Sequence, residues 1–414
     1  MRRTVTSTLE AILAAVLALT ACSGQPTLGP AAGEPITVGV LADLTGPNAS
    51  VFATTEAGVK ARFALENAAG GVSGHKLEYV VADTTSTPPG VLSAAQSLVR
   101  GKNVFGVLGG SAQLYAAADF LRQQKVPVLA TGISAPQFGD PSFGNMFAVT
   151  GSSSPRFAVV DTFGRFFKSQ GVTKVGGLGY AQSAASTNAV KSWTEGAKAV
   201  GLEVSYLNTS LPLGTTDVGS IALQIKDSGV DGLVMPLVTS TGFAILAALK
   251  QLGVHLKSTV LTAGYGGDLL TSPPAVQAAQ GIEFVAYAAP VELNTPATQT
   301  MRKALEAYAG VTTDPTNAQY WGWIAADAFI RGLKAAGPNA TPASFTTALR
   351  QVHDYAAGGL FTEARVDFSQ IGVLGPGMGP GNCLYILRVT GQAFEPIPGA
   401  TPACGQLTGQ NVLN

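Results

Sequence analysis

Short apolar runs alternate with longer amphipathic stretches along most of the chain. Residues 36–41 are rich in β-branched side chains and predict a buried strand, and the stretch 54–69 predicts a helix. Gly70 and Gly71 end that helix because glycine adopts the left-handed C-cap conformation at little cost. Residues 77–83 predict the next strand. This alternation is typical of a parallel sheet covered by helices on both faces.

The alternation occurs in two series, which indicates two α/β units. In the first series, helices are predicted over 88–100 and 112–124, and strands over 104–108, 126–130 and 146–149. In the second, helices are predicted over 156–170, 183–200, 221–228 and 242–252, and strands over 174–178, 203–207, 231–235 and 259–262. Each unit holds the parts of a doubly wound domain. The stretches 151–155 and 288–290 predict crossings between the two units. Helices over 298–309, 317–336 and 342–352 and short strands at 366–368 and 383–387 follow.

The N-terminus has the pattern of an export signal. Arg2 and Arg3 precede an apolar stretch over about residues 11–19, which is too short to cross a bilayer, since a span needs about 20 apolar residues. The sequence Leu19-Thr20-Ala21-Cys22 that ends this stretch resembles a lipobox. We therefore expect residues 1–21 to be a lipoprotein signal peptide. The alternative is an ordinary secretory signal with a cysteine following it by chance.

Lipidation makes Cys22 the mature N-terminus and a membrane anchor. Residues 22–35 are poor in apolar side chains and rich in Gly and Pro, which predicts a flexible tether. Cys383 and Cys404 then have only each other as partners on the oxidising side of the membrane. We expect a disulfide between them, worth roughly 3 kcal/mol in the chain-entropy model. The alternative is a pair of free, buried thiols.

Charge and motifs exclude several classes of function. The 25 acidic and 25 basic residues balance, and charged residues make up only 12% of the chain, so nucleic acid is not an expected partner. His75, His255 and His353 are far apart in sequence, and no metal or other cofactor is expected. Neither a G-x-G-x-x-G loop nor a G-x-S-x-G elbow is present. We therefore expect a protein that is not an enzyme.

Several phrases resemble one known family in order. They are residues 36–47, 67–78, 82–84, 105–111, 126–132 and 229–234. The chain resembles the type I periplasmic binding proteins, specifically the branched-chain amino-acid and amide group of ABC-transporter substrate-binding proteins. The resemblance implies two Rossmann-like, doubly wound lobes joined by a three-segment hinge, which close on a small ligand and deliver it to ABC permease subunits. It places the N-terminal lobe at 36–149 and 289–356, and the C-terminal lobe at 150–288 and 357–414.

The candidate ligand-binding residues lie in loops after predicted strands, where open parallel sheets bind ligands. They are Thr45, Asn48, Phe52, Ser111, Ala112, Gln113, Thr131 and Gly132 in the first lobe, and Tyr180, Ser183, Val238 and Tyr265 in the second. Free backbone N–H groups near Ser111 suit a carboxylate, and closure is expected to bring Tyr180 and Tyr265 over the rest of the ligand. The alternative is that Ser111 and Thr131 only cap turns and helices. Trp193, Trp321 and Trp323 are expected to be packing residues.

One position departs from the family. Amino-acid-binding members hold the ligand's ammonium group with an acidic residue in the second lobe, and the matching position here is Tyr265. Asp268 is the nearby acid, and a shift in alignment register would bring it closer. Because an unpaired ammonium in a closed cleft costs several kcal/mol, an aromatic or aliphatic carboxylate or a small amide is favoured over a standard amino acid.

The expected function is therefore capture of a small organic ligand, which is a carboxylate, an amide or an amino-acid-like molecule. The chain would act as an exported solute-binding lipoprotein of an ABC importer, lipid-anchored at the outer face of the cell membrane or in the periplasm. Two alternatives stay open. One is a ligand-sensing lipoprotein without transport, and the other is an exported α/β enzyme, which lacks support from any paired general acid and base.

Overall fold

The computed structural model describes residues 30, 33–131, 136–215 and 217–413. The predicted signal peptide, Cys22 and most of the tether lie outside these residues, as does Gly132. The described strands are β1 Ile36–Ala42, β2 Leu77–Asp83, β3 Val107–Gly110, β4 Val128–Ala130, β5 Met146–Ala148, β6 Ala158–Val160, β7 Lys174–Tyr180, β8 Glu203–Leu211, β9 Gly232–Met235, β10 Ser258–Leu261, β11 Glu283–Ala286, β12 Cys383–Thr390, β13 Ala393–Pro396, β14 Ala403–Cys404 and β15 Leu407–Asn411.

Helices connect most of the strands. They are α1 Ala49–Phe52, α2 Thr55–Ala68, α3 Pro88–Gln96, α4 Ala118–Gln123, α5 Thr162–Ser169, α6 Ala184–Ala199, α7 Gly219–Ser228, α8 Thr239–Gln251, α9 Gly267–Leu270, α10 Pro273–Ala279, α11 Pro296–Ala309, α12 Asn317–Ala336 and α13 Pro342–Leu349. A π-helical turn, Ser97–Gly101, continues α3, and a 3-10 turn, Leu114–Ala117, precedes α4. Within the described part of the chain, no helix is both long and apolar enough to cross a membrane.

The first sheet is fully parallel and has the strand order β2-β1-β3-β4-β5. Both of its faces are covered, because alternate residues of each strand enter different hydrophobic clusters. Val40 of β1 packs in the cluster that includes Phe329 of α12, whereas the next residue, Leu41, packs with Val91 of α3. Helices α2, α11, α12 and α13 therefore cover one face, although three of them lie far along the chain from the strands.

The second sheet has the strand order β13-β12-β11-β10-β9-β7-β8, and β14 pairs with β12. Strands β7 to β11 run parallel, while β12 and β13 are antiparallel additions from the C-terminal part of the chain. Helices α5 and α6 cover one face through Phe163, Phe167 and Trp193. Ile225 of α7 and Ile245 of α8 lie in the cluster on the other face. The molecule is thus an α/β protein of two doubly wound lobes.

Three segments cross between the two sheets. The first joins β5 to β6, the second joins β11 to α11, and the third joins α13 to β12. Arg350 in the third segment donates hydrogen bonds to the carbonyls of Gly144, Met146 and Phe368, at 3.1, 2.8 and 2.8 Å, and lies over the ring of Phe147. This side chain therefore fastens the third crossing to the end of the first sheet.

Local sequence patterns misplace two elements. The predicted helix over 156–170 begins only at Thr162, because Ala158–Val160 forms β6 and pairs with β15 at the other end of the chain. The predicted strand at 366–368 is reduced to an isolated bridge between Tyr355 and Val366. The expected disulfide between Cys383 and Cys404 is present and joins β12 to β14, so the C-terminal tail is fastened to the second sheet.

Candidate ligand cleft

A cleft with a cavity volume of about 130 Å³ lies between the two lobes. Its wall comes from loops that follow the carboxyl ends of strands β1, β3, β4, β7, β8, β9 and β10, together with all three crossing segments and the N-terminal parts of α6 and α12. The strand ends of both sheets therefore point at the same space, which is where open α/β sheets bind ligands.

Six of the predicted residues line this cleft. They are Asn48, Phe52, Ala112, Tyr180, Ser183 and Val238. Tyr180 ends β7, and its hydroxyl oxygen accepts a hydrogen bond from the Val238 N–H at 3.3 Å, which ties two wall loops together. The Ser183 hydroxyl caps α6 by accepting from the Ser186 N–H at 3.2 Å. The wall of the second lobe is thus held by its own hydrogen bonds.

Five other predicted residues are not among the described residues that line the cleft, and the structure gives most of their side chains other partners. The Thr45 hydroxyl donates to Asp83 at 2.6 Å. Ser111 is fully buried, and its hydroxyl oxygen accepts from the Gln113 N–H at 3.1 Å, as a turn-capping serine does. Gln113 and Thr131 are also buried. Tyr265 is buried and donates to Glu292 at 2.7 Å.

A smaller cavity of about 40 Å³ adjoins the cleft. Val51, Ala263 and Trp321 line both spaces. Tyr265 and Asp268 lie in the wall of the smaller cavity. Asp268, the acidic residue near the family's ammonium-binding position, is therefore beside the cleft and is not among the described residues that line it. The carboxylate of Asp268 is therefore not placed as a counter-charge inside the main cleft.

Aromatic side chains form much of the cleft wall. Phe52 and Tyr180 are predicted cleft residues, whereas Phe157, Trp193, Tyr287 and Trp321 are not. The rings of Phe52 and Tyr287 lie 5.3 and 5.8 Å from the ring of Trp321. Trp193 lines the cleft from the second lobe, and its indole N–H donates to the Pro376 carbonyl at 3.0 Å. Trp193 and Trp321 are buried as expected of packing residues, yet both also face the cleft. Trp323 is also buried but does not line the cleft, so its role is packing only.

The cleft wall is free of charge. None of the described residues that line it is Asp, Glu, Lys, Arg or His. Burial raises the pKa of Tyr287 to about 12 and also raises the pKa of Tyr180, so both phenols stay neutral at physiological pH. Elsewhere in the described part of the chain, no group of three or more His, Cys, Asp or Glu residues is arranged to hold a metal ion. The cleft is therefore an apolar surface with a few neutral polar groups.

Comparison with known proteins identifies the family. The family model described as Periplasmic binding protein matches residues 35–393, so the chain belongs to the periplasmic binding protein family. A Leu/Ile/Val-binding protein homolog 7 from Brucella abortus (strain 2308) is 25% identical over 310 residues, which cover 71% of this chain and 74% of that protein.

Solved structures show the same fold. A branched-chain amino acid transporter substrate-binding protein from Streptococcus pneumoniae, in complex with isoleucine, superposes with a TM-score of 0.71 at 18% identity and covers 88% of this chain and 99% of its own. A solute-binding protein from R. palustris, in complex with 4-hydroxybenzoate, has a TM-score of 0.69 at 22% identity and covers 88% and 95%. Both superpositions show that this fold is shared.

Proposed function

We propose that this chain is the solute receptor of an ABC importer and that it captures a small, largely apolar organic molecule. The observation that carries the proposal is the aromatic cleft between the carboxyl ends of two parallel sheets. Pockets of this kind bury most of a ligand's surface and fix its orientation with a few polar groups. Membership of the periplasmic binding protein family supports delivery of the ligand to permease subunits in the membrane.

The ligand would be enclosed by closure of the two lobes. We place the N-terminal lobe at 36–149 and 289–356 and the C-terminal lobe at 150–288 and 357–414. The packing of α11, α12 and α13 on the first sheet supports the return of the chain to the first lobe after the second crossing. The three crossings would act as the hinge, and rotation about them would bring Trp193 and Trp321, which line the cleft, towards each other across the ligand.

The proposed anchor is a lipid on Cys22. The lipobox-like sequence that ends at this cysteine supports it, and the adjoining tether would hold the receptor near the permease at the outer face of the membrane. Lipidation predicts that Cys22→Ala releases the chain from the membrane fraction. Mass spectrometry of the N-terminal peptide from wild type should show diacylglycerol on the cysteine, and an unmodified cysteine contradicts the anchor.

The receptor function is tested by binding and by transport. Stabilisation of the purified chain in a thermal-shift screen of amino acids, amides, alcohols and organic acids should identify ligands, and calorimetry should give saturable binding. Uptake of a radiolabelled hit should fall when the gene of this chain is deleted and recover when it is restored. Binding without any effect on uptake would leave the sensing role and exclude transport. Substitution of Trp323, outside the cleft, is the matched control for cleft variants.

A further inference from the structure

The wall of the cleft has two parts. One part lies at or just after the carboxyl ends of the strands and on α12, and it includes Ala112, Tyr180, Val238 and Trp321. The other part comes from α6 and from the first and third crossings. We call it the side arm, and its residues are Phe157, Ser186, Ala189, Trp193, Pro376 and Gly377. The cleft therefore continues past the strand ends, alongside a helix of the second lobe.

The side arm follows one face of α6. Ser186, Ala189 and Trp193 are three and four residues apart, which places them in line on the same face of the helix. Seven residues of α-helix span about 10 Å, so the cleft follows α6 over that distance. Ala189 contributes only a methyl group in the middle of this line, and the ring of Trp193 packs 4.7 Å from that of Phe163. The arm is thus open over Ala189 and bounded by Trp193.

The polar side-chain groups of the side arm already have partners within the protein. The indole N–H of Trp193 donates to the Pro376 carbonyl at 3.0 Å. The Ser186 hydroxyl donates to the Pro236 carbonyl at 2.7 Å and accepts from the Tyr180 N–H at 3.0 Å. A polar ligand group in the arm would lose its water without gaining one of these partners, which costs free energy. The arm therefore suits an apolar group.

Phe157 contributes its ring to the side arm from a backbone conformation that bulky residues rarely adopt. Its φ is +56°, in the left-handed region that favours glycine. Hydrogen bonds hold this conformation on both sides, because the Phe157 N–H donates to the Ser154 carbonyl and the Phe157 carbonyl accepts from the Val412 N–H, each at 2.9 Å. Strained residues of this kind are concentrated at ligand sites, and this one lines the cleft.

From these observations, and resting on the proposed receptor function, we infer that the ligand carries an apolar chain or ring that occupies the side arm. Its polar head then stays at the strand ends between the lobes. Each methylene buried in the arm should raise affinity about three- to fourfold. Ala189 determines how long a chain fits, because a larger side chain at this position would fill the arm. The arm thus selects ligands by the size of their apolar part, whatever the charge of the head.

The test measures affinity along series of probes that share one head and differ in apolar length. Butanoate, hexanoate and octanoate form one series, benzoate and 4-phenylbutanoate form another, each also as its amide, and leucine is the short reference. Calorimetry uses the purified full chain in detergent at pH 7.5, with detergent alone as the blank. In at least one linear series, affinity should rise roughly fiftyfold or more from four to eight carbons, or 4-phenylbutanoate should bind at least tenfold more tightly than benzoate.

Two leucine substitutions on α6 locate the bound chain. Ala189→Leu fills the arm, whereas Ala184→Leu lies on the exposed side of the same helix and is the matched control. Ala189→Leu should weaken binding of the longer probes at least tenfold and leave the shortest within about twofold. The control should leave all affinities within about twofold. A folded Ala189→Leu variant that binds the longer probes as wild type does overturns the inference.

A second measurement does not depend on the folding of Ala189→Leu. A chain with Trp321→Phe and Trp323→Phe keeps Trp193 alone, and bromine quenches an indole that it contacts. Fluorescence of Trp193 should be quenched at least twice as strongly by saturating 8-bromooctanoate as by saturating 2-bromooctanoate, because the chain end lies in the arm. Equal quenching, or stronger quenching by 2-bromooctanoate, overturns the inference.

Failure of the side arm and failure of the receptor function give different results. Tightest binding of leucine, or affinities that do not rise with apolar length in any series, overturns the side arm and leaves the receptor function intact. If folded wild type binds neither these probes nor any compound of the thermal-shift screen, the receptor function fails together with the inference. Affinities that rise with length in wild type and not in Ala189→Leu support both.

Discussion

At the scale of single residues, the two tryptophans of α12 provide a matched test of the cleft. Trp321 lines the cleft, whereas Trp323, two residues later, is buried away from it. Either residue changed to Leu should lower the free energy of unfolding by about 2 kcal/mol through lost packing. Only Trp321→Leu should also weaken ligand binding, by about 1–2 kcal/mol, because it removes the ring that lies beside Phe52 and Tyr287.

The measurement is calorimetry with the tightest ligand from the screen, alongside urea unfolding of both variants. Arg62 lies over the ring of Trp323 at 5.8 Å, so loss of that contact contributes to stability but not to binding. Equal affinity losses in the two variants would mean that Trp321 acts only through the core.

A second prediction at this scale concerns Glu292 and pH. Burial raises the pKa of Glu292 to about 7, with the Tyr265 hydroxyl and Arg302 opposing the shift and Asp314 adding to it. The unfolded chain loses this proton near pH 4.5 and the folded chain near pH 7, so stability is lost as pH rises between these values. Glu292→Gln should therefore stabilise the chain at pH 8, by up to about 3 kcal/mol, and change little at pH 4.

Thermal unfolding from pH 4 to pH 8 tests whether the stabilisation by Glu292→Gln increases with pH. The difference in Tm between Glu292→Gln and wild type should grow with pH and level off above the folded pKa. A difference that is the same at both ends of the range, or that grows towards acid, would show that Glu292 does not carry a buried charge.

At the scale of secondary-structure elements, α2 and α12 cross so closely that glycine is required on both. A Cβ at Gly58 would lie 2.0 Å from the Gln319 carbonyl oxygen, and a Cβ at Gly322 would lie 2.0 Å from that of Thr55. Gly322→Ala must push the helices apart, which should cost about 1–3 kcal/mol. Gly219→Ala at the exposed start of α7, where a Cβ meets nothing within 4 Å, is the control.

Urea unfolding gives both values. The control should change stability by less than about 1 kcal/mol, since alanine is the better helix former. Because α12 carries Trp321 into the cleft, Gly322→Ala should also weaken ligand binding. Wild-type stability in Gly322→Ala would mean that the helix pair separates without cost.

Local patterns in the sequence are sufficient to predict most of the helices and strands. The bounds of β2 and α12 are those predicted, because each has continuous apolar periodicity and clear end signals. The pattern fails where an element depends on a distant partner. Strand β6 reads as part of a helix, and only its pairing with β15, about 250 residues later, makes it a strand.

Some cleft residues could likewise be predicted from the sequence, and others could not. Loops after strands could be predicted from topology alone, and Asn48, Tyr180 and Val238 were found by that rule. Trp321 could not be found, because on an apolar helix a cleft-facing tryptophan and a core tryptophan have the same sequence pattern. Predictions from hydroxyl chemistry were the least reliable guide to the wall, since Ser111 accepts a hydrogen bond from the Gln113 N–H and Thr45 donates to Asp83.

At the scale of the whole molecule, the position of the cleft between two lobes predicts that the lobes close when the ligand binds. Trp193 lines the cleft from one lobe and Trp321 from the other, so each can serve as a fluorescence probe of ligand binding. The chain has three tryptophans in all. A variant with Trp193→Phe and Trp323→Phe keeps only Trp321, whose fluorescence should change saturably as ligand enters. A variant that keeps only Trp323 should respond far less, because that residue is buried outside the cleft.

Closure itself is measured by small-angle scattering, since rotation of the lobes about three crossings lowers the radius of gyration. The decrease should saturate at the ligand concentration that saturates the Trp321 signal, because one closed complex produces both. Differential affinity for the closed form is what drives such a shift, so a ligand that fills the cleft without touching both lobes should change fluorescence alone. A constant radius of gyration at saturating ligand would show that the lobes are already closed, and release would then require the permease to open them.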